Sequence, residues 1–179
     1  MINNNDRKQN SGPQPGGRER RRGPGSSRVP REKSEFDSRT LDLARVTRVT
    51  KGGKRFSFRS TVVIGDGKGR VGIGVAQGND VSQAIQKATS RAKRFILNVP
   101  IFDGTIPHSV ESKYGSAVVL LKPAPKGNGL KAGGSVRAVV SLAGIENISS
   151  KLLTRTKNKI NIARAAISAL SKLKTVKPV

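Results

Sequence analysis

The sequence contains no cysteine and no tryptophan, and it has a single histidine, His108. Without cysteine there are no disulfides and no thiolate metal sites, and an imidazole metal site would lack its second histidine. No apolar run approaches the ~20 residues that a membrane-spanning helix needs, and the polar first ten residues do not resemble a signal peptide. We therefore expect a cytoplasmic protein with no membrane span, no metal and no cofactor.

Acidic residues are also scarce. The chain has 11 Asp+Glu against 35 Lys+Arg, which gives a formal net charge of +24. A compact body with that excess repels itself, and solubility requires a net charge of only about 2–8. A polyanion is the usual compensation, and nucleic acid is the commonest one. An anionic membrane is the rival partner, but surface helices that bind it need large apolar residues.

The scarcity of acids argues against catalysis. A kinase needs acidic groups for metal binding or proton transfer, and no acidic pair is evident. No nucleophile motif accompanies His108, so a catalytic triad is not indicated. We predict that the chain is not an enzyme. Beyond residue 40 its acids are Asp42, Asp66, Asp80, Asp103, Glu111 and Glu146.

Aromatic residues make up only 3% of the chain. Recognition of single strands by aromatic platforms is therefore weakly indicated. Phe56 and Phe58 are expected in the core, because they share one face of a strand with Val62 and Ile64.

Residues 1–40 are predicted to be a disordered basic tail. Gly, Pro, Ser, Arg and Asn dominate this segment, and it contains too few large apolar residues to offset the entropy of ordering. Its ten basic and five acidic residues give it +5, so most of the charge belongs to the rest of the chain. The run from Arg18 to Arg22 fits an arm that contacts RNA and fits a solvated linker equally well.

A first domain, residues 41–104, is predicted from alternating strands followed by a helix. The strands are 41–50, with a bulge near Arg45 and Val46, then 55–64, and a third marked by Val71, Ile73 and Val75. Gly52 and Gly53 indicate a hairpin turn. Asp80 is a suitable N-cap for a helix that ends before Pro100.

A second domain, residues 105–179, has the predicted order strand, strand, helix, strand, helix. The strands are 106–113, 117–122 and 146–155. A short helix carries Val136, Val139, Val140 and Ala143 and ends at Gly144, which suits a C′ position. The final helix carries Ile160, Ala163, Ala166, Ile167, Leu170 and Leu173, with Pro178 beyond its end.

Two glycine-rich segments could bind phosphate. Gly67, Gly69 and Gly72 form a Gly-x-Gly-x-x-Gly string, but a dinucleotide site requires the string to open a helix, and here it leads into a strand. The loop 125–135 leads into a helix N-terminus, where free N–H groups attract phosphate. Lys126 and Lys131 favour a phosphate contact there over a merely flexible connection. Part of this loop also resembles the ATP loop of the galactokinase and homoserine-kinase superfamily.

Six stretches in series resemble bacterial small-subunit ribosomal protein five. They are RVTRVTKGGKRFSF (45–58), VIGDGKGRVGIG (63–74), AIQKA (84–88), GTIPH (104–108), GGSVRAV (133–139) and NIARA (161–165). The resemblance implies an α+β fold in two parts. The first is a βββα domain similar to a double-stranded-RNA-binding domain, and the second is the βαβα domain that the kinase superfamily also uses.

The resemblance further implies a structural constituent of the small ribosomal subunit that binds small-subunit rRNA and supports assembly. Such a protein contacts ribosomal proteins four and eight, lines the channel through which mRNA enters, and influences translational accuracy. Residues 46–54 match the loop linked to spectinomycin sensitivity. Gly127, Gly129 and Arg137 lie in the region that faces protein four.

Cations on turns and exposed strand faces are the predicted rRNA contacts, since duplex RNA is recognised mostly by its shape and backbone. The predicted RNA-binding residues are Arg45, Arg48, Lys51, Gly52, Gly53, Lys54, Arg55, Arg59, Lys68, Arg70, Lys126 and Lys131. A free-standing RNA chaperone on the same module and a small-molecule kinase are the competing hypotheses.

Overall fold

The computed structural model describes residues 35–174, and most of the predicted tail and Pro178 lie outside that range. The N-terminal half of the described chain is a four-stranded antiparallel sheet of order β1-β2-β3-β4 with one helix against it. Its elements are β1 (Asp37–Thr50), β2 (Gly53–Gly65), β3 (Arg70–Gly78), α1 (Val81–Arg94) and β4 (Ile96–Asn98).

The C-terminal half is a second four-stranded sheet, of order β5-β6-β8-β7, with two helices. Only the β7–β8 pair in it is parallel. The elements are β5 (Val110–Tyr114), β6 (Ala117–Pro123), β7 (Leu130–Lys131), α2 (Gly134–Ala143), β8 (Ile148–Leu152) and α3 (Lys159–Ser171). The predicted α+β fold with two parts is confirmed.

Several predicted boundaries were wrong. The tail prediction included residues 37–40, but β1 begins at Asp37, because these residues pair with the end of β2. The irregularity in β1 lies between Thr40 and Asp42 and not near Arg45. The strands β4 and β7 were not predicted, because strands of three and two residues are too short to show an alternation of apolar and polar residues. The predicted strands 106–113 and 146–155 shorten to β5 and β8.

One hydrophobic core joins the two halves. Val63, Val71 and Val99 of the N-terminal half cluster with buried residues of β6, α2, β8 and α3. A smaller cluster lies between the first sheet and α1 and includes Val62 and Ile64. Successive side chains of a strand point to opposite faces, so β2 contributes to both clusters and is the central element of the fold.

The helix α1 packs very close to β3. The side chains it buries are all alanines, and a Cβ on Gly74 of β3 would lie 2.0 Å from the carbonyl oxygen of Ala88. Gly72, Gly74 and Gly78 of β3 therefore serve helix–sheet packing. The Gly-x-Gly-x-x-Gly string leads from a turn into the strand β3, as predicted, and does not open a helix.

The turn between β2 and β3 connects the halves through backbone hydrogen bonds. The N–H groups of Gly67 and Gly69 donate to the carbonyl oxygens of Leu142 and Ala143, at 3.0 and 2.8 Å. The carbonyl groups in the last turn of a helix have no hydrogen-bond partner within the helix, so the turn supplies partners for two of them in α2. Gly144, predicted as the residue that ends this helix, has φ +85°, and a Cβ there would lie 2.0 Å from the Gly67 oxygen.

The prediction for Phe56 was wrong. Phe58 is half-buried, but Phe56 is 50% exposed. The guanidinium of Arg45 lies 3.8 Å from the centre of the Phe56 ring, an arrangement in which the cation is attracted to the ring face. Phe56 lies in the part of β2 beyond its pairing with β3, which ends at Phe58, so alternation alone could not place it. Asp80 does occupy the N-cap position of α1, but its side chain makes no capping hydrogen bond.

Candidate nucleic-acid interface

Most of the positive charge is not neutralised within the fold. Residues 35–174 contain 25 Lys+Arg and eight Asp+Glu. Within that range only Arg59, Arg70, Lys126 and Lys159 have a carboxylate oxygen within 4.0 Å. The predicted cationic surface is therefore present.

The strands β1 and β2 extend beyond the rest of their sheet. Pairing of β2 with β3 ends at Phe58, so residues 46–57 form a two-stranded hairpin, here called the ribbon. Residues 47–56 are all exposed, and none of the ribbon is buried. A two-stranded hairpin without a packed face is only marginally stable in water. The ribbon is therefore a projection whose surface is available to a partner.

Positive charges face each other across the ribbon. Arg48 lies directly opposite Arg55, and like charges in that relation destabilise a strand pair. Lys51 lies in the turn and Lys54 is the second residue of the return strand. The Thr50 hydroxyl donates to the Gly53 carbonyl at 3.1 Å. A bound anion between the arginines would replace this repulsion with attraction. The structure thus brings together the predicted residues 48 and 51–55, with Arg45 at the base of the ribbon.

Lys68 and Arg70 lie at the opposite end of β2 from the ribbon. At 3.4 Å per residue, β2 separates the two groups by roughly 35 Å. Arg70 is already engaged, because its side chain donates to Asp66 Oδ2 and to Glu35 Oε1, each at 2.6 Å. Arg59, on β2, lies 3.9 Å from Asp42. Lys68 and Arg70 therefore do not form one surface with the ribbon, whereas Arg59 lies two residues from the ribbon and is paired with an acid.

The carboxylate of Asp66 organises the β2–β3 turn. Its side chain is only 4% exposed, and its Oδ1 accepts hydrogen bonds from the Lys68 and Arg70 backbone N–H groups at 2.8 and 3.0 Å. Burial acts to raise the pKa of Asp66, but the Arg70 side chain and these two N–H groups outweigh it and lower the pKa to about 2. Asp66 and Arg70 thus form a structural ion pair.

The loop before α2 uses its N–H groups internally. The N–H groups of Gly127 and Gly129 both donate to Asn147 Oδ1, at 3.1 Å. Lys126 lies 3.4 Å from Asp103, and Lys131 donates to Asn128 Oδ1 at 2.5 Å. Asn147 therefore occupies two N–H groups of the loop predicted to bind phosphate, or ATP in the kinase hypothesis, and the phosphate contact itself stays a prediction. Arg137 is exposed on α2 nearby.

The predicted RNA-binding residues left out a second group of cations, which flank the apolar side of α1. Lys87, Arg91 and Arg94 lie at positions i, i+4 and i+7 of α1, a spacing that places side chains on one face of a helix. This spacing could have indicated from the sequence alone that the three cations share one face of the helix. Arg164 of α3 lines the same concavity as Arg91 and Arg94, and no local pattern could have shown this.

Residues 35–174 contain no group of three or more His, Asp or Glu side chains that could hold a metal ion. No helix in that range has both the length and the apolarity to cross a membrane.

Comparisons with known proteins give the family. Residues 36–100 match the family model "Ribosomal protein S5, N-terminal domain" and residues 112–179 match "Ribosomal protein S5, C-terminal domain". Two proteins named "Small ribosomal subunit protein uS5" are each 48% identical to the chain. The match with the Gloeobacter violaceus protein covers 82% of this chain and 66% of that protein. The match with the Thermotoga maritima protein covers 78% of each.

The family consists of ribosomal proteins and not of enzymes, so the prediction that the chain is not an enzyme is confirmed. The family models together cover well over half of the sequence. The chain belongs to the ribosomal protein S5 family.

Proposed function

We propose that the chain is a structural constituent of the small ribosomal subunit in the cytoplasm, where it binds small-subunit rRNA and supports subunit assembly. The observation that carries this proposal is the ribbon, which presents cations that no acid in residues 35–174 neutralises. Lys and Arg that neutralise phosphates release counterions, so this surface favours RNA without reading its sequence. The fold then has a physical reason to retain a self-repelling surface.

Within the proposed interface, the ribbon residues have the strongest support. Arg48, Lys51, Lys54 and Arg55 are exposed and lack an acidic partner in the described range. Gly52 and Gly53 keep the tip narrow, and a Cβ at either would meet no atom within 4 Å. A narrow, cationic hairpin fits a groove of duplex RNA, which is recognised by shape and backbone.

The other predicted contacts have weaker support. Arg45 covers Phe56, and Arg59, Arg70 and Lys126 each have a carboxylate nearby. These residues would have to exchange an existing interaction for a phosphate. We keep them, with Lys68 and Lys131, as secondary contacts in the proposal.

We also propose that the chain contacts ribosomal proteins four and eight, lines the mRNA channel and influences accuracy. The surface for protein four would include Gly127, Gly129 and Arg137. Support comes from the rigidity of this loop, since Asn147 fixes both glycines in left-handed conformations, φ +89° and +68°. A rigid exposed loop loses little entropy when a partner binds it.

We propose a division between two domains near residues 104–105. Support comes from the turn there, where Phe102 and Thr105 form an isolated bridge. This turn links β4, the last strand of the first sheet, with β5, the first strand of the second. The shared core means that the two domains would fold as one cooperative unit.

The test is co-sedimentation of the full chain with small ribosomal subunits in high salt. We expect the chain to remain with the subunits, because a protein integrated among rRNA and protein neighbours is not held by screened charges alone. Complete release into the soluble pool would contradict the proposal and favour a free-standing RNA chaperone. Calorimetry with ATP is the control for the kinase hypothesis, and saturable binding there would also count against the proposal.

A further inference from the structure

Three concavities follow one another along the side of α1 that faces β3 and the ribbon. One of about 400 Å³ lies between the base of the ribbon and α1, and it is lined by Arg48, Arg55 and Lys87. A second, of about 750 Å³, shares Lys87 with the first and adds Arg91 and Arg94. A third, of about 400 Å³, shares those two arginines and ends at Arg164 of α3. Together they form one continuous depression, here called the α1 groove.

The α1 groove carries only positive charge. Six cations line it, and none of the residues that line the three concavities within the described range is acidic. Cations in the last turn of a helix are favourable by themselves, because they face the negative end of the helix dipole. That effect accounts for Arg91 and Arg94 but not for Lys87 in the middle of α1 or for Arg164 on another helix. The groove therefore requires a further explanation.

Neutral groups hold two of the arginines in place. Arg91 Nη1 donates to the backbone carbonyl of Val75 at 2.8 Å. Arg164 Nη1 donates to the Tyr114 hydroxyl at 2.6 Å, and its guanidinium lies 5.4 Å from the centre of that ring. These contacts orient the side chains without cancelling their charge. An oriented guanidinium with free N–H groups suits a phosphate oxygen.

An exposed aromatic ring lies at the far end of the α1 groove. Phe95 follows the last residue of α1, it is 71% exposed, and it belongs to neither hydrophobic cluster. It lines the third concavity together with the three arginines. Burial against a protein core does not explain this side chain. A flat ring among cations is the combination that binds an unpaired nucleotide, whose base stacks while its phosphates are neutralised.

We propose that the α1 groove is a second RNA-binding surface, which a single RNA strand follows from the ribbon to Arg164 with one unpaired base stacked on Phe95. From Gln83 to Arg94 the helix rises about 16 Å, so the groove extends well beyond the ribbon. This inference rests on the proposed RNA-binding function and adds a class of ligand to it. The tip of the ribbon contacts duplex RNA, and the groove, which begins at Arg48 and Arg55, contacts a single strand.

The test measures the affinity of the full chain for a labelled single-stranded oligouridine and for a duplex RNA of equal length. The groove variant is Arg91→Gln/Arg94→Gln/Arg164→Gln. Its matched control is Lys113→Gln/Lys122→Gln/Lys151→Gln, which removes the same charge from exposed positions outside the groove. We expect the groove variant to bind oligouridine at least about tenfold more weakly than the control. We also expect its salt slope to fall by about 2.

Phe95 is tested separately, because substitution of an exposed ring leaves the core intact. Phe95→Ala should weaken oligouridine binding between about fivefold and a hundredfold, and Phe95→Tyr should retain it. Phe95→Leu, which is apolar but cannot stack, should behave like Phe95→Ala. Equal binding by Phe95→Ala and the unchanged chain would overturn the stacking.

The outcomes separate this inference from the proposed function. If the unchanged chain binds neither RNA, the proposed function itself fails. If Lys51→Gln/Lys54→Gln weakens duplex binding while the groove variant and its control bind oligouridine equally, the function stands. In that case the α1 groove is not an RNA surface and is left as a site for a protein neighbour.

Discussion

The tip of the ribbon and the turn between β2 and β3 have similar compositions and opposite roles. Both are short, rich in glycine, contain at least one lysine, and lie at the ends of the same strand. At the tip, a Cβ on Gly52 would meet no atom within 4 Å, and all the residues are exposed. At the β2–β3 turn, Gly67 and Gly69 donate to α2 and Asp66 binds Arg70.

The contrast shows how a structural cation differs from a cation available to a partner. Arg70 has two carboxylates and a ring beside it, so its charge is used inside the fold. Lys51 and Lys54 have no acid near them in the described range, so their charge is left for a ligand. Changes at the β2–β3 turn should therefore affect stability, and changes at the tip should affect RNA binding.

The largest expected effect is at the contact between the β2–β3 turn and the end of α2. Gly144→Ala should destabilise the chain by about 2–4 kcal/mol, because the new Cβ would lie 2.0 Å from the Gly67 oxygen at φ +85°. Urea unfolding measures the change. Gly52→Ala is the matched control at the tip, and its effect should stay within about 1 kcal/mol. Equal destabilisation by the two variants would contradict the distinction between a structural β2–β3 turn and a tip that does not contribute to stability.

The next effect is at the tip and concerns binding. Lys51→Ala/Lys54→Ala should weaken binding to small-subunit rRNA by about tenfold and reduce the salt slope by about 2, since each lysine neutralises one phosphate. Filter binding at several salt concentrations measures both quantities. The control Lys113→Ala/Lys122→Ala removes the same charge from the second sheet. It should change the affinity and the salt slope less than the tip variant does. Unchanged affinity and slope in the tip variant would remove the ribbon from the interface.

A smaller effect concerns pH. The pKa of Asp66 is lowered from 3.8 to about 2 in the folded chain, so its ion pair stabilises the fold fully above about pH 4. That stabilisation, about 1–2 kcal/mol, is lost as the pH falls toward 2. Asp66→Asn should therefore flatten the dependence of the unfolding free energy on pH in this window. Arg70→Gln keeps the carboxylate and should give an intermediate slope, whereas an unaltered slope in Asp66→Asn would contradict the assignment.

The smallest effect is a gain in stability. Arg48→Gln should stabilise the free chain by a few tenths of a kcal/mol, because it removes the repulsion with Arg55. The gain should shrink in high salt, which screens exposed charges. Lys51→Gln is the control, since Lys51 lies in the turn without a residue opposite it. Destabilisation by Arg48→Gln at low salt would show that repulsion between Arg48 and Arg55 does not weaken the ribbon.

The elements that could be predicted from the sequence are those whose apolar residues recur at regular spacing over one uninterrupted segment. The three helices and β2 were predicted for this reason, and Gly144 marked the end of α2. The strands β4 and β7 exist because a neighbouring strand pairs with them, and two or three residues hold no periodic signal. The start of β1 at Asp37 likewise depends on β2, which supplies the hydrogen-bond partners. The first residues of β1 are polar and do not by themselves indicate a strand.

The candidate interface was predictable only in part. Composition and turn residues indicated the ribbon, because its cations are close together in the sequence. The engagement of Arg70 by Glu35 joins residues 35 positions apart, and the orientation of Arg164 by Tyr114 joins residues 50 positions apart. Such contacts depend on tertiary packing, so no local pattern distinguishes a neutralised arginine from a free one.

The most direct test of the unneutralised cationic surface is the salt dependence of the full chain's affinity for small-subunit rRNA. The four ribbon cations alone predict that log K falls linearly with log salt, with a slope of about −3 or steeper. A slope near zero would show that phosphate neutralisation does not drive binding, and it would contradict the account.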